Sequence, residues 1–174
     1  PYPVYYHMSQ NFMALVEALE RDGAAIPLPK QHIPLPDQPP RAPRNEESSA
    51  HVRRELERLI ALPADARLVV LKLDAGQLLP IRSWPLERWA ALARRLLERD
   101  PRWVVVLMGI PSAGDSARAI AAAANHPRLV NFNGKTRHLT DLINLFNQAD
   151  LLITNDSGQA HFATLTEIAP ITLF

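Results

Sequence analysis

The chain has 174 residues, a formal net charge of +1, 47% apolar and 21% charged residues, and no cysteine. That length suits one domain, or one domain and part of a neighbour, and the balanced charge gives no reason to expect nucleic acid as a partner. The missing cysteines exclude disulfides and thiolate metal sites and fit a reducing, cytoplasmic setting.

Apolar runs are strand-sized, far short of the roughly 20 residues that span a bilayer. The chain starts Pro1-Tyr2-Pro3, without a Met or a signal-peptide pattern, and stops at Ile171-Thr172-Leu173-Phe174 inside what reads as a strand. Both ends are therefore read as cuts in a longer chain. Ser9 to Asp22 carries Phe12, Leu15, Val16 and Leu19 on one helical face, with Ser9 as N-cap and Gly23 as stop. Prolines then crowd the stretch from Pro27 to Pro43. Proline fixes φ and removes a donor, so this stretch is expected to be an extended linker. Ser49 to Leu62 reads as a second amphipathic helix. The expected division is 1–45, the end of one domain with a linker, and 46–174, a second domain.

From Ala66 onward strand and helix alternate. Strands are expected at 68–73, 103–109, 129–132, 151–154 and 170–174. Helices are expected at Leu86–Arg99, Ala113–Ala124, Leu139–Asn147 and Gly158–Ile168. In Leu86–Arg99, Trp89, Leu92, Ala93 and Leu96 should face inward. Short apolar strands between helices predict an α/β, Rossmann-like parallel sheet with helices on both faces. Such sheets bind ligands at the carboxyl ends of their strands, so the strand-to-helix loops are where chemistry is expected.

The most specific of these loops is Asn155-Asp156-Ser157-Gly158, after a buried strand, with His161 on the next helical turn. Asp156 or Ser157 can cap that helix. Gly158 permits close approach of the backbone, and the free N–H groups favour an anion such as a diphosphate. An ordinary capped turn competes with this reading. The loop Asp74–Pro85 is long, and Arg82 lies just before the helix opened by Pro85. Its guanidinium can fork onto phosphate oxygens, or be a solvated surface charge. Trp84 reads better as a packing anchor than as a base-stacking platform. In Asn133-Gly134-Lys135-Thr136 no P-loop spacing precedes Lys135, so Lys135 reads as a turn residue and not as a phosphate ligand. The six histidines make no metal-ligand spacing, so no metal site is expected. No Gly-x-Gly-x-x-Gly follows a strand, and no Gly-x-Ser-x-Gly elbow occurs.

The combination is more specific than its parts. Arg82-x-Trp84-Pro85, then Trp89-Ala90-x-Leu92-Ala93, then Asn133-Gly134-Lys135-Thr136, then Thr154-Asn155-Asp156-Ser157-Gly158-x-x-His161 resembles the C-terminal half of glycosyltransferase family 9, the ADP-heptose:lipopolysaccharide heptosyltransferases. The resemblance implies the C-terminal, donor-binding domain of a GT-B glycosyltransferase. It also implies inverting, metal-independent transfer without a cofactor, the nucleotide-sugar being a substrate. It assigns Arg82, Asp156, Ser157, Gly158 and His161 to the diphosphate region, main-chain groups around Thr136 to the adenine, and Asp115 to the ribose. It places the general base in an N-terminal region that these residues do not include, so the fragment alone is expected to be inactive. The implied partners are a nucleotide-sugar donor and, through the other domain, a glycolipid acceptor, in the cytoplasm or at the inner face of its membrane. Residues 74–81 depart from the family's commoner Asn-Pro-Gly-Ala pattern. A GT-B-like sugar-nucleotide epimerase and a non-catalytic nucleotide-binding module are the competing readings.

Overall fold

The computed structural model describes residues 8–19, 40–73, 83–109 and 114–173. The chain divides into two units, Pro1–Pro39 and Pro40–Phe174. In the first, one helix is described, α1 (Met8–Leu19). Ser9 lies inside it and so is not its N-cap. The expected apolar stripe is present but exposed, at Phe12, Leu15, Val16 and Leu19. The expected stop at Gly23 and the linker up to Pro39 fall outside the described residues.

The second unit opens with α2 (Glu46–Leu59). This helix starts three residues before the expected Ser49, because the Asn45 side chain accepts from the Ser48 N–H at 2.9 Å and fixes the first turn. There follow β1 (Arg67–Lys72), α3 (Leu86–Arg99), β2 (Trp103–Met108), α4 (Gly114–Ala124) and β3 (Leu129–Asn131). Then come α5 (Leu139–Asn147), β4 (Leu151–Asn155), α6 (Gly158–Phe162), a 3-10 turn (Ala163–Leu165) and β5 (Ala169–Leu173). All pairings are parallel, and the sheet order is β3-β2-β1-β4-β5. The doubly wound α/β sheet expected from the sequence is what forms.

Alternate residues of each strand feed two cores. Leu68 and Val70 of β1 pack with Val52 and Leu56 of α2 and Leu145 and Phe146 of α5. Val69 and Leu71 pack on the opposite face with Trp89 and Ala93 of α3 and Ala117 and Ile120 of α4. Burying both faces explains why these strands are continuously apolar. Trp89 and Ala93 are fully buried, as expected, while Leu92 and Leu96 pack at the edge of the core.

The last helix is much shorter than expected. It runs five residues and relaxes into the 3-10 turn. The Thr164 hydroxyl donates to the His161 carbonyl at 2.7 Å and the Thr166 hydroxyl to the Ala163 carbonyl at 2.8 Å. Such back-bonding competes with helix propagation, and Thr166 is already extended (φ −131°, ψ 178°). Among the described residues no helix is long and apolar enough to cross a membrane.

Candidate functional site

Chain order reverses in the middle of the sheet. From β1 the chain winds outward through β2 to β3, then returns to place β4 against the other side of β1. The point between the carboxyl ends of β1 and β4 is the topological switch point, where a doubly wound sheet opens a crevice. The Asn155–Gly158 loop stands at that point.

β4 delivers this loop from a fully buried base. Leu152 and Ile153 anchor the strand in opposite cores, and Thr154 and Asn155 are completely buried. The Thr154 hydroxyl donates to the Asn155 carbonyl at 2.8 Å, and the Asp156 N–H donates to Leu173 O of β5 at 3.0 Å. Ser157 occupies the N-cap position of α6 with extended backbone, but its side chain makes no capping bond. The Ser157 hydroxyl and the Gln159 side-chain carbonyl are buried without a hydrogen-bond partner among the described residues. Buried polar groups are normally satisfied, and these two are the unmet groups of the loop. Among the described residues, nothing lies within 4 Å of a Cβ built on Gly158. No described residue fills the place of a side chain there, and Gly158 is not forced by backbone strain. His161 is exposed one turn later. Because α6 has only five residues, its macrodipole is small. Any positive potential of this loop therefore rests on individual N–H groups and the Ser157 hydroxyl more than on a helix field.

The loop after β3 is held by a different set of contacts. Gly134 adopts a positive φ of 72°, which a Cβ would disfavour. Lys135 turns back to α2, with Nζ 3.3 Å from the Glu55 carboxylate, so it is an ion-pair partner of α2. The His51 Nε2–H donates to the Lys135 carbonyl at 2.9 Å. Arg137 is clamped by Asp141: its backbone N–H, Nε and Nη2 reach the carboxylate at 2.8, 3.0 and 3.1 Å. Burial alone would push the fully buried Asp141 carboxyl up. Hydrogen bonds from Arg137 and Ser48 overcome this and hold it well below the usual carboxylate range. Burial likewise opposes the lowered value of Glu55, and Lys135 and Arg58 outweigh it. Thr136, half-buried, sits between these two anchors.

Asp156, Ser157, Gly158 and His161 thus share one segment at the switch point. Thr136 lies on the same carboxyl edge beyond β3, three strand spacings from β4, or about 14 Å along the sheet. Asp115 is on the first turn of α4, highly exposed, and ion-paired with Arg118 of its own helix. Nothing in its contacts ties it to the β4 loop. Arg82 falls outside the described residues. Trp84 meets the buried Trp89 edge-on, with ring centroids 5.1 Å apart, as a packing anchor does.

Two residues of this edge had no role assigned from the sequence: Lys72 was not singled out, and Asn155 was named only as the first residue of the loop after β4. Lys72 is 1% exposed at the end of β1, in register with Thr154 on one side and Met108 on the other. Its signal was a lone charge inside the apolar run LVVLKL. Asn155 is the other. Its carboxamide donates to Leu73 O at 2.8 Å and accepts from Trp84 N–H at 3.1 Å. In sequence it looked like one more polar residue of a turn. No group of acidic and histidine side chains among the described residues could hold a metal ion.

The fold recurs in solved structures. ADP-heptose lipopolysaccharide heptosyltransferase II of E. coli matches with a TM-score of 0.66 and 23% identity, over 80% of this chain and 41% of that one. A family 9 glycosyl transferase of Veillonella parvula matches with a TM-score of 0.66 and 22% identity, over 76% of this chain and 36% of that one. E. coli heptosyltransferase WaaC with ADP-2-deoxy-2-fluoro heptose matches with a TM-score of 0.50 and 21% identity, over 70% of this chain and 36% of that one. The chain spans about two fifths of the length of these proteins or less, and at such identities the likeness is one of fold. No curated protein sequence matches it. The sequence model of glycosyltransferase family 9 (heptosyltransferase) matches residues 2–174, nearly the whole chain, and the chain belongs to that family.

Proposed function

We propose that this chain is the donor-binding part of a glycosyltransferase that takes a nucleotide-sugar, ADP-heptose or a close analogue, and transfers the sugar with inversion to a lipopolysaccharide-type acceptor. The observation that carries the reading is the Asp156-Ser157-Gly158 loop at the β1/β4 switch point, with a buried hydroxyl unpartnered among the described residues and none of them in the place of a side chain at its glycine. A structure with this fold, E. coli heptosyltransferase WaaC, holds an ADP-sugar analogue, which supports a nucleoside diphosphate as this chain's ligand.

The chemistry then divides between two parts of the protein. The acceptor hydroxyl, deprotonated by a base outside residues 1–174, attacks the anomeric carbon as the bond to the diphosphate breaks. Negative charge grows on the leaving diphosphate, and donors aimed at it lower the barrier. In this chain those donors are the N–H groups following Ser157, the Ser157 hydroxyl, His161 and, from its sequence position, Arg82. Neutralisation by these groups makes a metal ion unnecessary. The nucleoside end lies along the sheet edge toward the loop at Thr136. The acceptor is a glycolipid bound by the other domain, at the cytoplasmic face of the membrane.

The test is transfer itself. The complete protein, supplied with ADP-heptose and a lipid A-linked acceptor, should release ADP at a rate unaffected by EDTA, while residues 1–174 alone should release none. Loss of turnover in EDTA, or transfer by the 174-residue chain, would overturn this division of labour.

A further inference from the structure

Asn155 does something at the switch point that an ordinary turn residue does not. It is completely buried, and both halves of its carboxamide are used. The side-chain N–H donates to the carbonyl of Leu73, the residue after β1, at 2.8 Å. The side-chain oxygen accepts from the N–H of Trp84, two residues before α3, at 3.1 Å. One β4 side chain therefore joins the point where the chain leaves β1 to the point where it enters α3. Leu73 is also tied to β2, its N–H donating to Met108 O at 3.0 Å, and Trp84 is braced against Trp89 in the core. The next residue, Asp156, is bonded to β5. Four strands and one helix thus converge on Asn155 and its neighbour.

We infer that Asn155 is the positioning residue of the donor crevice: it sets the distance between the β1 and β4 lips, and so the geometry in which Ser157 and Gly158 meet a diphosphate. The inference rests on the donor-site reading above and goes beyond it, because Asn155 is completely buried and acts through the loop it holds. No other neutral side chain of this size offers a donor and an acceptor in that arrangement. Aspartate keeps the acceptor for Trp84 but sets a carboxylate oxygen against the Leu73 carbonyl. Alanine leaves both backbone groups buried and unmet.

The experiment is ADP calorimetry on the complete protein and its Asn155→Asp and Asn155→Ala variants. Val52→Ala, a cavity in the α2 core, serves as a control for destabilisation alone. Both Asn155 variants should bind ADP at least about 10-fold more weakly, with Val52→Ala unchanged in affinity although it melts lower. Asn155→Asp should regain affinity relative to wild type as the pH falls and its carboxyl protonates, since a carboxylic acid can again donate to Leu73. In wild-type protein, ADP should slow hydrogen exchange at the Trp84 amide, which keeps the inference testable if the variants fail to fold. Folded Asn155 variants with wild-type affinity, or unchanged Trp84 exchange, would overturn the inference and leave the donor-site reading standing. Wild-type protein that binds no ADP would overturn the donor-site reading itself.

Discussion

Asp141 shows how much one side chain can hold in place. It has no solvent exposure, and three donors of Arg137 converge on its two oxygens. Asp141→Asn keeps the shape and removes the charge, leaving Arg137 facing a neutral amide. Because Arg137 is about one-third exposed, water softens the loss, and the expected cost is about 2–3 kcal/mol in urea unfolding. A variant within about 0.5 kcal/mol of wild type would mean that the clamp contributes nothing. The same carboxylate shapes the acid response. Its folded pKa lies below the unfolded value, as does that of Asp100, which hydrogen bonds from Arg102 hold at about 2. Each contribution is therefore fully present above the ordinary carboxylate pKa of about 4 and is lost as the pH falls through the lowered folded value. Urea midpoints should be flat from about pH 7 to 5 and fall steeply toward pH 2, and more gently in Asp141→Asn. Site residues at this scale were only partly legible. The polar loop after β4 announced itself by following an apolar strand. The bonds of Asn155 to Leu73 and Trp84 and the ion pair of Glu55 with Lys135 join residues 71 or more positions apart, and no local pattern encodes those.

At the scale of elements the sequence was legible wherever periodicity and packing agreed. Leu86–Arg99 and Leu139–Asn147 form over the residues expected, since each has one apolar face and a core to bury it in. Legibility failed where a side chain competed with the backbone. Asn45 started α2 early, and Thr164 and Thr166 stopped α6 short. It also failed for α1, whose apolar stripe was read correctly as a stripe while its exposure depends on what packs nearby. The sheet edge gives the prediction at this scale. β5 is the last strand on its side, its first three residues are exposed, and Ile171 is 48% exposed. An apolar edge strand is a template for pairing with another chain. The 174-residue chain should self-associate at high concentration, and Ile171→Lys should restore a monomer in sedimentation experiments. A wild-type chain that stays monomeric at millimolar concentration would show that this edge is protected.

For the whole molecule, the alternation of strands and helices predicted a parallel sheet, and the sheet is parallel in the order β3-β2-β1-β4-β5. Sequence alone could not say that β1 and β4 are neighbours, because their pairing joins segments about 80 positions apart. That pairing is what turns a polar turn into the lip of a crevice. The central claim is therefore that a nucleoside diphosphate binds at the β1/β4 switch point, over Gly158. Gly158 has no positive φ, and no described residue occupies the place where its side chain would go. Gly158→Val should consequently fill the ligand's place while costing the fold little, well under about 1 kcal/mol at an exposed helix start. The deciding measurement is ADP binding by calorimetry to the complete wild-type protein and to Gly158→Val, with melting temperatures recorded for both. The account predicts micromolar-range binding to wild type and a loss of at least about 100-fold in the variant, with melting points within about 2 °C. A folded Gly158→Val protein that binds ADP as wild type does would contradict it.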